Sequence, residues 1–407
     1  MIAKQRTTSN GEPVPPVSGQ ARVSRRRART GSLSAGVVTL SAATLLVAGC
    51  ASNSGGAPAG SASSGGSSSG FTVAFANITE QVPIFHTIHT TTASLLKNTN
   101  VKVTWYDNNE DSSTMISNAQ LMAQSKPDGI VEYPTSPDST ALGAALTRNG
   151  VPCVSIDFPT PDCTSLTVEA TEYGAQAAEI MATAAKQRGW NSSNTTLLVG
   201  QNAAAGQSGN GAVQGFYSTI APLLGYKPLN ASQITPSSTT LGANAIQFDG
   251  QSSLQPAYQA VTSLMAAVPS SRHVILFTLN DESTVGALRA IDARGTKSDV
   301  LVIGVGADPQ ALTLLKTDPR WVGEVDILAP FWGEYAVATA EQLAAGKKED
   351  GKTPATLPLP FTIMNKTTVQ IYYPGNAVLA VKLPPLSGPL TYLSGAPVLA
   401  GIGNVGK

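Results

Sequence analysis

Residues 273–295 have the sequence HVILFTLNDESTVGALRAIDARG. The run 273–279 is apolar without alternating polar residues, which indicates a strand buried on both faces of a sheet. A helix predicted over 282–294 follows the polar pair at 280–281, and Gly295 is the residue type that commonly ends a helix. The stretch therefore predicts one strand–helix unit of an α/β fold.

The same alternation of strand and helix begins at Phe71. Further apolar runs predict strands at 72–76, 102–106, 129–133, 153–156, 196–200 and 300–305. Further helices are predicted at about 113–125, 138–149 and 173–188. Such alternation produces parallel sheets with helices on both faces. Roughly 300 residues of it are more than a single sheet usually contains. We therefore predict two α/β lobes, with a first crossing near 167–173 and a return near 327–331.

The composition is that of a globular protein. The chain has 407 residues, of which 42% are hydrophobic and 13% charged, and this is enough apolar material for two lobes with cores. Residues 1–49 contain seven basic residues and one acidic residue. Subtracting them from the 26 basic and 26 acidic residues of the chain leaves 19 and 25, a net charge of −6. That balance suits a receptor for a neutral or weakly charged molecule and argues against nucleic acid as a partner, which would need a basic face.

The first 50 residues have the pattern of a targeting segment. A basic run, RRRAR at 25–29, precedes an apolar stretch that ends in VAGC at 47–50. This arrangement resembles a bacterial lipoprotein signal, with residues 1–49 removed and Cys50 as the acceptor for lipid. A membrane anchor is the alternative, although the apolar stretch is short for a bilayer. Residues 50–70 are nearly all Ser, Gly and Ala, which predicts a flexible tether.

Two cysteines remain in the body of the chain, Cys153 and Cys163. Outside the cytoplasm such a pair can oxidise, and closing so short a loop contributes roughly 2 to 3 kcal/mol to stability. Two free buried thiols are the alternative, and the sequence does not decide between them.

The stretch LNDESTVGALRA at 279–290 resembles the strand-to-helix element of class I periplasmic binding proteins of the ribose-binding kind. Other stretches match the same family in the expected order, namely YDNN at 106–109, DGIVEYP at 128–134, GVPCVSID at 150–157, VQGF at 213–216 and VIGVG at 302–306. The resemblance covers about residues 71–373 and implies two Rossmann-like, doubly wound lobes joined by a hinge. No region resembles the DNA-reading helices of the related repressors.

We expect each lobe to be built from two parts of the chain. The N-terminal lobe is expected to comprise 71–170 and about 328–355, and the C-terminal lobe 171–327 and about 356–373. The tail, residues 374–407, is rich in Pro, Gly and Leu and has no clear repeat. An added strand pair, a packing arm on the lobes and a poorly ordered segment remain open for it.

The resemblance implies a ligand site in the cleft between the lobes, at the carboxyl ends of strands, where open α/β sheets generally bind ligands. Phe85 and Phe248 match ring-stacking aromatics, although either could belong to the core. Asp157 matches the carboxylate after the fourth strand, and Asn280 matches the amide that ends a later strand. Asp281 beside it could be only a helix N-cap. Further expected contacts are Gln81, Tyr133 and Trp332.

Several positions depart from the pattern of the pentose binders. Phe158 and Asn210 stand where arginines are expected, and Gly306 replaces an aspartate, with Asp308 two residues later. The loss of two guanidinium groups removes strong bidentate donors. We therefore expect a ligand other than ribose, namely a larger or less hydroxylated sugar, a polyol or a ring compound. The candidate contacts at these positions are Phe158, Asn210 and Asp308.

Together these features predict a monomeric substrate-binding lipoprotein of an ABC importer, tethered outside the cytoplasm. It would close its lobes around a sugar or a related molecule and present the closed form to a membrane permease. A sensory module for a chemoreceptor or kinase is the alternative, and a lipid-anchored enzyme would need a catalytic constellation that is not evident. No cofactor or metal is predicted. The glycine-rich run 206–211 lacks the lysine of a phosphate-binding loop, and His86 and His89 have no Glu or Cys at a recognised spacing.

Overall fold

The computed structural model describes residues 70–135, 140–295, 299–348, 351–373 and 383–401. All of them belong to one compact unit that spans residues 66–407. The predicted signal sequence, Cys50 and all of the predicted tether except Gly70 lie outside the described residues. Within the part of the chain that is described, no helix is both long and apolar enough to cross a membrane.

The described strands and helices alternate as the sequence predicts. The strands are β1 (Thr72–Asn77), β2 (Lys102–Asp107), β3 (Gly129–Glu132), β4 (Cys153–Ile156), β5 (Thr164–Val168), β6 (Thr195–Gln201), β7 (Thr240–Gly242), β8 (Ala245–Asp249), β9 (His273–Phe277), β10 (Val300–Val305), β11 (Trp321–Asp326), β12 (Thr356–Leu359) and β13 (Thr362–Met364). The helices are α1 (Pro83–Leu96), α2 (Ser112–Ser125), α3 (Thr140–Thr147), α4 (Ala170–Gln187), α5 (Gly206–Leu224), α6 (Leu254–Met265), α7 (Asp281–Ala293), α8 (Pro309–Thr317), α9 (Trp332–Ala344), α10 (Val369–Tyr372) and α11 (Pro397–Gly401). Each predicted element corresponds to one of these, with ends that differ by up to three residues.

The strands form two sheets. The first has the order β12-β5-β4-β3-β1-β2 and is parallel throughout. The second has the order β13-β11-β10-β9-β6-β8-β7 and is parallel except at its two edges, β7 and β13. Central strands such as β10 are buried along their whole length, as expected when helices cover both faces. The predicted two-lobed α/β fold is confirmed.

The described chain passes from one sheet to the other at three places. β5 leads into α4, β11 leads through a 3₁₀ turn at Ala329–Phe331 into α9, and β12 is followed directly by β13. Because α9 packs against α1, β3 and β4, the second crossing returns the chain to the first lobe.

The third crossing lies later than the sequence suggested. We expected residues 356–373 in the second lobe, but β12 pairs with β5 in the first, from Thr356 opposite Ser165 to Leu359 opposite Val168. This pairing satisfies backbone groups that β5 would otherwise expose at the edge of the sheet. A four-residue edge strand that contains a proline carries little signal in the sequence, which explains the error.

Cys153 and Cys163 form a disulfide, with Cα atoms 4.9 Å apart. The bond joins the first residue of β4 to the residue before β5. It therefore closes the loop that carries Asp157 and Phe158, and it decides between the two alternatives that the sequence left open.

Residues 383–401, the described part of the C-terminal tail, form an arm on the first lobe. The arm packs against α9 and β12, and Leu390 and Leu393 are buried. The amide of Val398 donates to Oε2 of Glu341 at 2.8 Å, which fixes α11 to α9. Of the three alternatives for the tail, the structure shows a packing arm for this part.

Candidate functional site

A cavity of about 240 Å³ lies between the lobes, where the carboxyl ends of strands from both sheets meet; we call it the interlobe cavity. Its first-lobe lining consists of Ile78, Phe85, Tyr133, Asp157, Phe158 and Trp332. Its second-lobe lining consists of Tyr173, Asn202, Ala205, Gly209, Ser252 and Leu279, and the crossings contribute Val168, Ala170 and Ile327. Tyr133, Asp157 and Asn202 directly follow β3, β4 and β6, so parallel strands direct these side chains toward one point.

Aromatic rings form most of the first-lobe wall. The centroids of Phe85 and Tyr133 are 5.3 Å apart with their planes at 84°, and those of Tyr133 and Trp332 are 6.1 Å apart at 51°. The indole Nε1 of Trp332 donates to the carbonyl of Ile327 at the second crossing, at 2.8 Å. Asn77 donates from Nδ2 to the carbonyl of Phe85 at 2.8 Å and holds the start of α1 against β1. The three rings therefore form a continuous chain of contacts along this wall.

Asp157 occupies a strained turn at the end of β4. Its φ is +64°, a left-handed conformation that few residues other than glycine adopt, although aspartate and asparagine tolerate it better than most. The turn is held by the amide of Asp157, which donates to the carbonyl of Leu166 at 2.7 Å, and by the disulfide that closes the same loop. Strained backbone of this kind is often found at binding sites.

The carboxylate of Asp157 influences two phenol groups of the cavity. Burial raises the pKa of Tyr133 well above its usual value, and the negative charge of Asp157 raises it further. Burial and Asp157 also raise the pKa of Tyr173, in the same order of importance. Both phenols therefore stay neutral at physiological pH.

The second-lobe wall is polar but internally bonded. Asn202 caps the 3₁₀ turn Ala203–Ala205 by accepting from the amide of Ala204 at 3.1 Å, and its Nδ2 donates to Oγ of Ser252 at 3.1 Å. Asn280, predicted as a ligand contact, lies behind this wall instead. It is the N-cap of α7, since its Oδ1 accepts from the amide of Ser283, and its Nδ2 donates to the carbonyl of Ser252 at 2.8 Å. Asn280 therefore supports the wall and does not line it.

Two further predicted contacts lie inside the second lobe. Phe248 is 6% exposed and belongs to the hydrophobic core with Val261 of α6, which is the core role left open for it. Asn210 is fully buried, accepts from Nε2 of Gln201 at 2.9 Å and donates to the carbonyl of Ile234 at 2.8 Å. The side-chain amide of Asn210 therefore connects α5 to Gln201 of β6 and to the backbone at Ile234. Neither Phe248 nor Asn210 lines the interlobe cavity.

Gln81 and Asp308 also lie outside the interlobe cavity. Gln81 is exposed and donates to Oδ1 of Asn109 at 2.9 Å on the rim of the first lobe. Asp308 lines a second cavity of about 580 Å³, between α1 and the loops after β9 and β10, which we call the acidic cavity. Its charged lining consists of Asp281, Glu282 and Asp308.

Asp281 organises the floor of the acidic cavity. It is 2% exposed, and its two oxygens accept from the amides of Val305 and Asp308, both at 2.9 Å. Burial, with the charge of Asp308, raises the pKa of Asp281 to about 7. Burial and the charge of Asp281 raise the pKa of neighbouring Glu324 well above its usual value. The amide of Ala307 donates to Oε1 of Glu324 at 2.9 Å, so the two carboxyl groups together fix the loop after β10.

A buried hydrogen bond stabilises the second crossing between the lobes, which leads from β11 to α9. The hydroxyl of Tyr373 donates to Oδ2 of Asp326 at 2.6 Å, and Oδ1 of Asp326 accepts from the amide of Leu328 at 2.8 Å. Burial raises the pKa of Asp326 to about 6. Tyr373 directly follows α10, so the bond fixes the crossing that contains Ile327 to the segment after β13.

The described residues contain no group of three or more His, Cys, Asp or Glu side chains arranged to hold a metal ion. His86 and His89 instead each lie 3.1 Å from a carboxylate oxygen of Glu80, measured from Nδ1.

The residues predicted from the sequence did not include Tyr173, Asn202 or Ser252, which also line the interlobe cavity. Asn202 directly follows β6, so its position at a strand end was the available signal. Tyr173 lies in the predicted first crossing. Ser252 has a φ of +47° in the loop after β8, and nothing in its local sequence marks it as a lining residue.

Comparison with known proteins places the chain among ligand receptors. A family model described as a periplasmic binding protein domain matches residues 73–348. The ribose import binding protein of Escherichia coli (strain K12) is 34% identical over 97 residues, which are 24% of this chain and 31% of that protein. The match therefore spans less than a third of that curated relative.

Solved structures share the fold at low identity. A periplasmic solute binding protein of an ABC transporter from Actinobacillus succinogenes, with bound D-allose, has a TM-score of 0.60 and 16% identity over 74% of this chain and 100% of its own. One from Bacillus halodurans, with bound myo-inositol, has a TM-score of 0.60 and 16% identity over 75% and 98%. The fructose binding periplasmic domain of a hybrid two component system has a TM-score of 0.59 and 14% identity over 74% and 92%.

Proposed function

Because this chain belongs to the periplasmic binding protein family, we propose that it is the substrate-binding component of an ABC importer and captures a sugar or a sugar-like molecule between its lobes. The observation that carries the proposal is the interlobe cavity, whose walls come from both lobes and from the crossings between them. The two ABC transporter receptors described above hold a hexose and a cyclitol, which supports a small, ring-shaped ligand.

The proposed mechanism is closure of the lobes around the ligand. A molecule that contacts Phe85 and Asp157 on one lobe and Asn202 on the other has more contacts in the closed state than in the open state, and only such a difference shifts the equilibrium. The crossings would act as the hinge, since a few residues at the ends of secondary structure elements absorb such motions. The closed form would then be the one that the membrane permease accepts.

We propose an extracytoplasmic location with a lipid on Cys50 and residues 50–70 as the tether. The family supports the location, and the disulfide between Cys153 and Cys163 suits an oxidising compartment. The proposal assigns the chain no catalytic role. Mass spectrometry of the membrane-extracted protein tests the anchor. A lipid-modified Cys50 at the mature N-terminus is expected, and an N-terminus that retains residues 1–49 would contradict it.

A sensory role is the second candidate, and one observation favours it. The fructose binding domain with the same fold belongs to a two component system, so this architecture also serves signalling. Deleting the gene separates the two roles. Loss of uptake of the radiolabelled ligand supports import, whereas unchanged uptake with loss of a transcriptional response supports sensing.

A thermal-shift screen of the full chain in mild detergent tests the ligand class. Sugars, polyols, nucleosides and small aromatic compounds are compared, and at least one sugar or polyol is expected to raise the midpoint. A ligand at a hundred times its Kd adds about 2.7 kcal/mol to the free energy of unfolding. If no sugar or polyol shifts the midpoint, the sugar assignment is wrong.

A further inference from the structure

The loop after β8 has a strained backbone where it meets the interlobe cavity. Gln251 and Ser252 are consecutive residues with φ angles of +51° and +47°. A left-handed backbone is unfavourable for residues with a Cβ atom, and the glycine that would tolerate it stands one position earlier, at 250. Such strain persists only where the surrounding structure holds it, and it is concentrated at functional sites. Of the two residues, Ser252 lines the cavity, so the strain lies in the wall of the proposed ligand site.

Two asparagine side chains hold Ser252 in this conformation. Nδ2 of Asn280 donates to the carbonyl of Ser252 at 2.8 Å, and Nδ2 of Asn202 donates to its Oγ at 3.1 Å. Oδ1 of Asn280 accepts from the amide of Ser283 at 3.1 Å. Oδ1 of Asn202 likewise accepts from the amide of Ala204 at 3.1 Å. Because each amide oxygen caps a helical turn, each amide nitrogen must face Ser252.

These bonds place the hydroxyl of Ser252 on the cavity side and leave it as a donor. Asn280, which bonds the carbonyl, is not part of the lining, whereas Asn202, which bonds the hydroxyl, is. A serine hydroxyl has one O–H donor and two acceptor lone pairs. Since Oγ of Ser252 accepts from Asn202, its hydrogen remains for another acceptor, and no oxygen among the described residues accepts it. The second-lobe wall therefore presents a hydroxyl donor to the cavity.

We propose that the hydroxyl of Ser252 contacts the ligand and donates to one of its oxygens, and that Asn280 is a positioning residue that acts on the ligand through Ser252. The proposal rests on the proposed function, because it names a contact and a ligand group of the same cavity. That group is an oxygen with a lone pair, such as a hydroxyl or ring oxygen of a sugar or a hydroxyl of a polyol. A protonated amine has no lone pair and cannot take its place.

Titration calorimetry on the full chain in mild detergent tests the contact. The probes are D-glucose, D-galactose, D-allose and myo-inositol, and the one that binds tightest is titrated into the variants. Ser252→Ala removes the hydroxyl and keeps Cβ, and Ser252→Gly removes it at a residue type that tolerates positive φ. Both variants should bind about 5- to 30-fold more weakly than the wild type, as for loss of a buried hydrogen bond. Ser253→Ala is the matched control at the next residue, which does not line the cavity, and should change affinity less than about twofold.

A double-mutant cycle tests the positioning role of Asn280. Asn280→Ser keeps an oxygen that can cap α7 and removes the amide that holds Ser252. In the wild-type background this change should weaken probe binding about 3- to 10-fold. In the Ser252→Ala background it should cost less than about twofold, because the effects of residues that act through one another are not additive. A general structural role would cost the same in both backgrounds, and that result would overturn the positioning role.

The outcomes separate this proposal from the proposed function. Probe binding that neither Ser252 variant weakens overturns the contact and leaves sugar capture intact. Equal weakening by Ser252→Ala and Ser253→Ala belongs to the loop as a whole and also overturns the contact. If the wild type binds none of the four probes, the contact is overturned. The proposed function is overturned with it only if no sugar or polyol raises the midpoint in the thermal screen.

Discussion

Replacing Glu132 by glutamine should change how the stability of this protein depends on pH. Glu132 is the last residue of β3, directly before Tyr133 of the cavity wall, and it is fully buried. Its Oε1 accepts from Nδ2 of Asn108 at 2.6 Å, and its Oε2 has no hydrogen-bond partner within the described structure. Burial raises the pKa of Glu132 to about 8, from 4.5 for an ordinary glutamate.

The raised pKa of Glu132 determines the direction in which the stability of the protein changes with pH. In the folded protein the carboxyl stays protonated up to about pH 8, whereas in the unfolded chain it ionises above about pH 4.5. Its contribution to stability is therefore complete below about pH 4.5 and is lost as the pH rises through about 8, at roughly 1.4 kcal/mol per pH unit. Across this window the loss reaches about 4 kcal/mol, a large part of the stability of a typical domain.

Glutamine has the same shape, accepts from Asn108 through its amide oxygen and is neutral at every pH. Between pH 5 and pH 9, the free energy of unfolding of the wild type should therefore fall by about 4 kcal/mol relative to that of Glu132→Gln. Urea unfolding of the disulfide-bonded protein, followed by tryptophan fluorescence at each pH unit, measures the difference. Glu172→Gln, at an exposed position on α4, is the control and should change stability by less than about 0.5 kcal/mol. A constant difference between wild type and Glu132→Gln across this range would refute the reasoning.

Three further changes test other parts of the structure. Replacing both Cys153 and Cys163 by alanine should lower the free energy of unfolding by about 3 kcal/mol, as measured by urea unfolding. As a control, a reductant should lower the stability of the wild type but not that of the variant. Equal stabilities of the oxidised wild type and the variant would contradict a stabilising role of the bond. Tyr373→Phe removes the donor to Asp326 and should cost about 1 to 3 kcal/mol in the same assay, whereas no loss would show that this bond does not hold the crossing. Leu393→Ala, at a fully buried position of the C-terminal arm, should cost about 2 to 5 kcal/mol, and a thermal midpoint equal to that of the wild type would mean that the arm is not part of the folded body.

The cavity wall shows which site residues local sequence can indicate. Phe85, Tyr133, Asp157, Phe158 and Trp332 line the interlobe cavity, and all five belong to the first lobe. Tyr133 and Asp157 could be selected because the ends of buried parallel strands are visible in the sequence, and those ends lie at one edge of a sheet.

The second lobe shows where such reasoning fails. Asn280 also follows a predicted strand, yet its amide caps α7, because an N-cap satisfies orphan amides of the helix that starts there. Phe248 and Asn210 lie in β8 and α5, and the packing of the lobe turns both away from the cleft. Local pattern does not distinguish a polar strand end that faces a ligand from one that bonds to its own helix.

The sequence by itself determined the alternation of strands and helices and hence the two-lobed α/β fold, because apolar runs and helix-ending glycines act over a few residues. Only the tertiary structure decided that β12 joins the first sheet, that residues 383–401 form a packing arm on α9, and that Asn202 and Ser252 line the same cavity as Asp157. These features depend on which distant segments meet. Contacts between residues such as Val168 and Leu359 are set by the packing of the whole body and leave no periodic pattern in either segment.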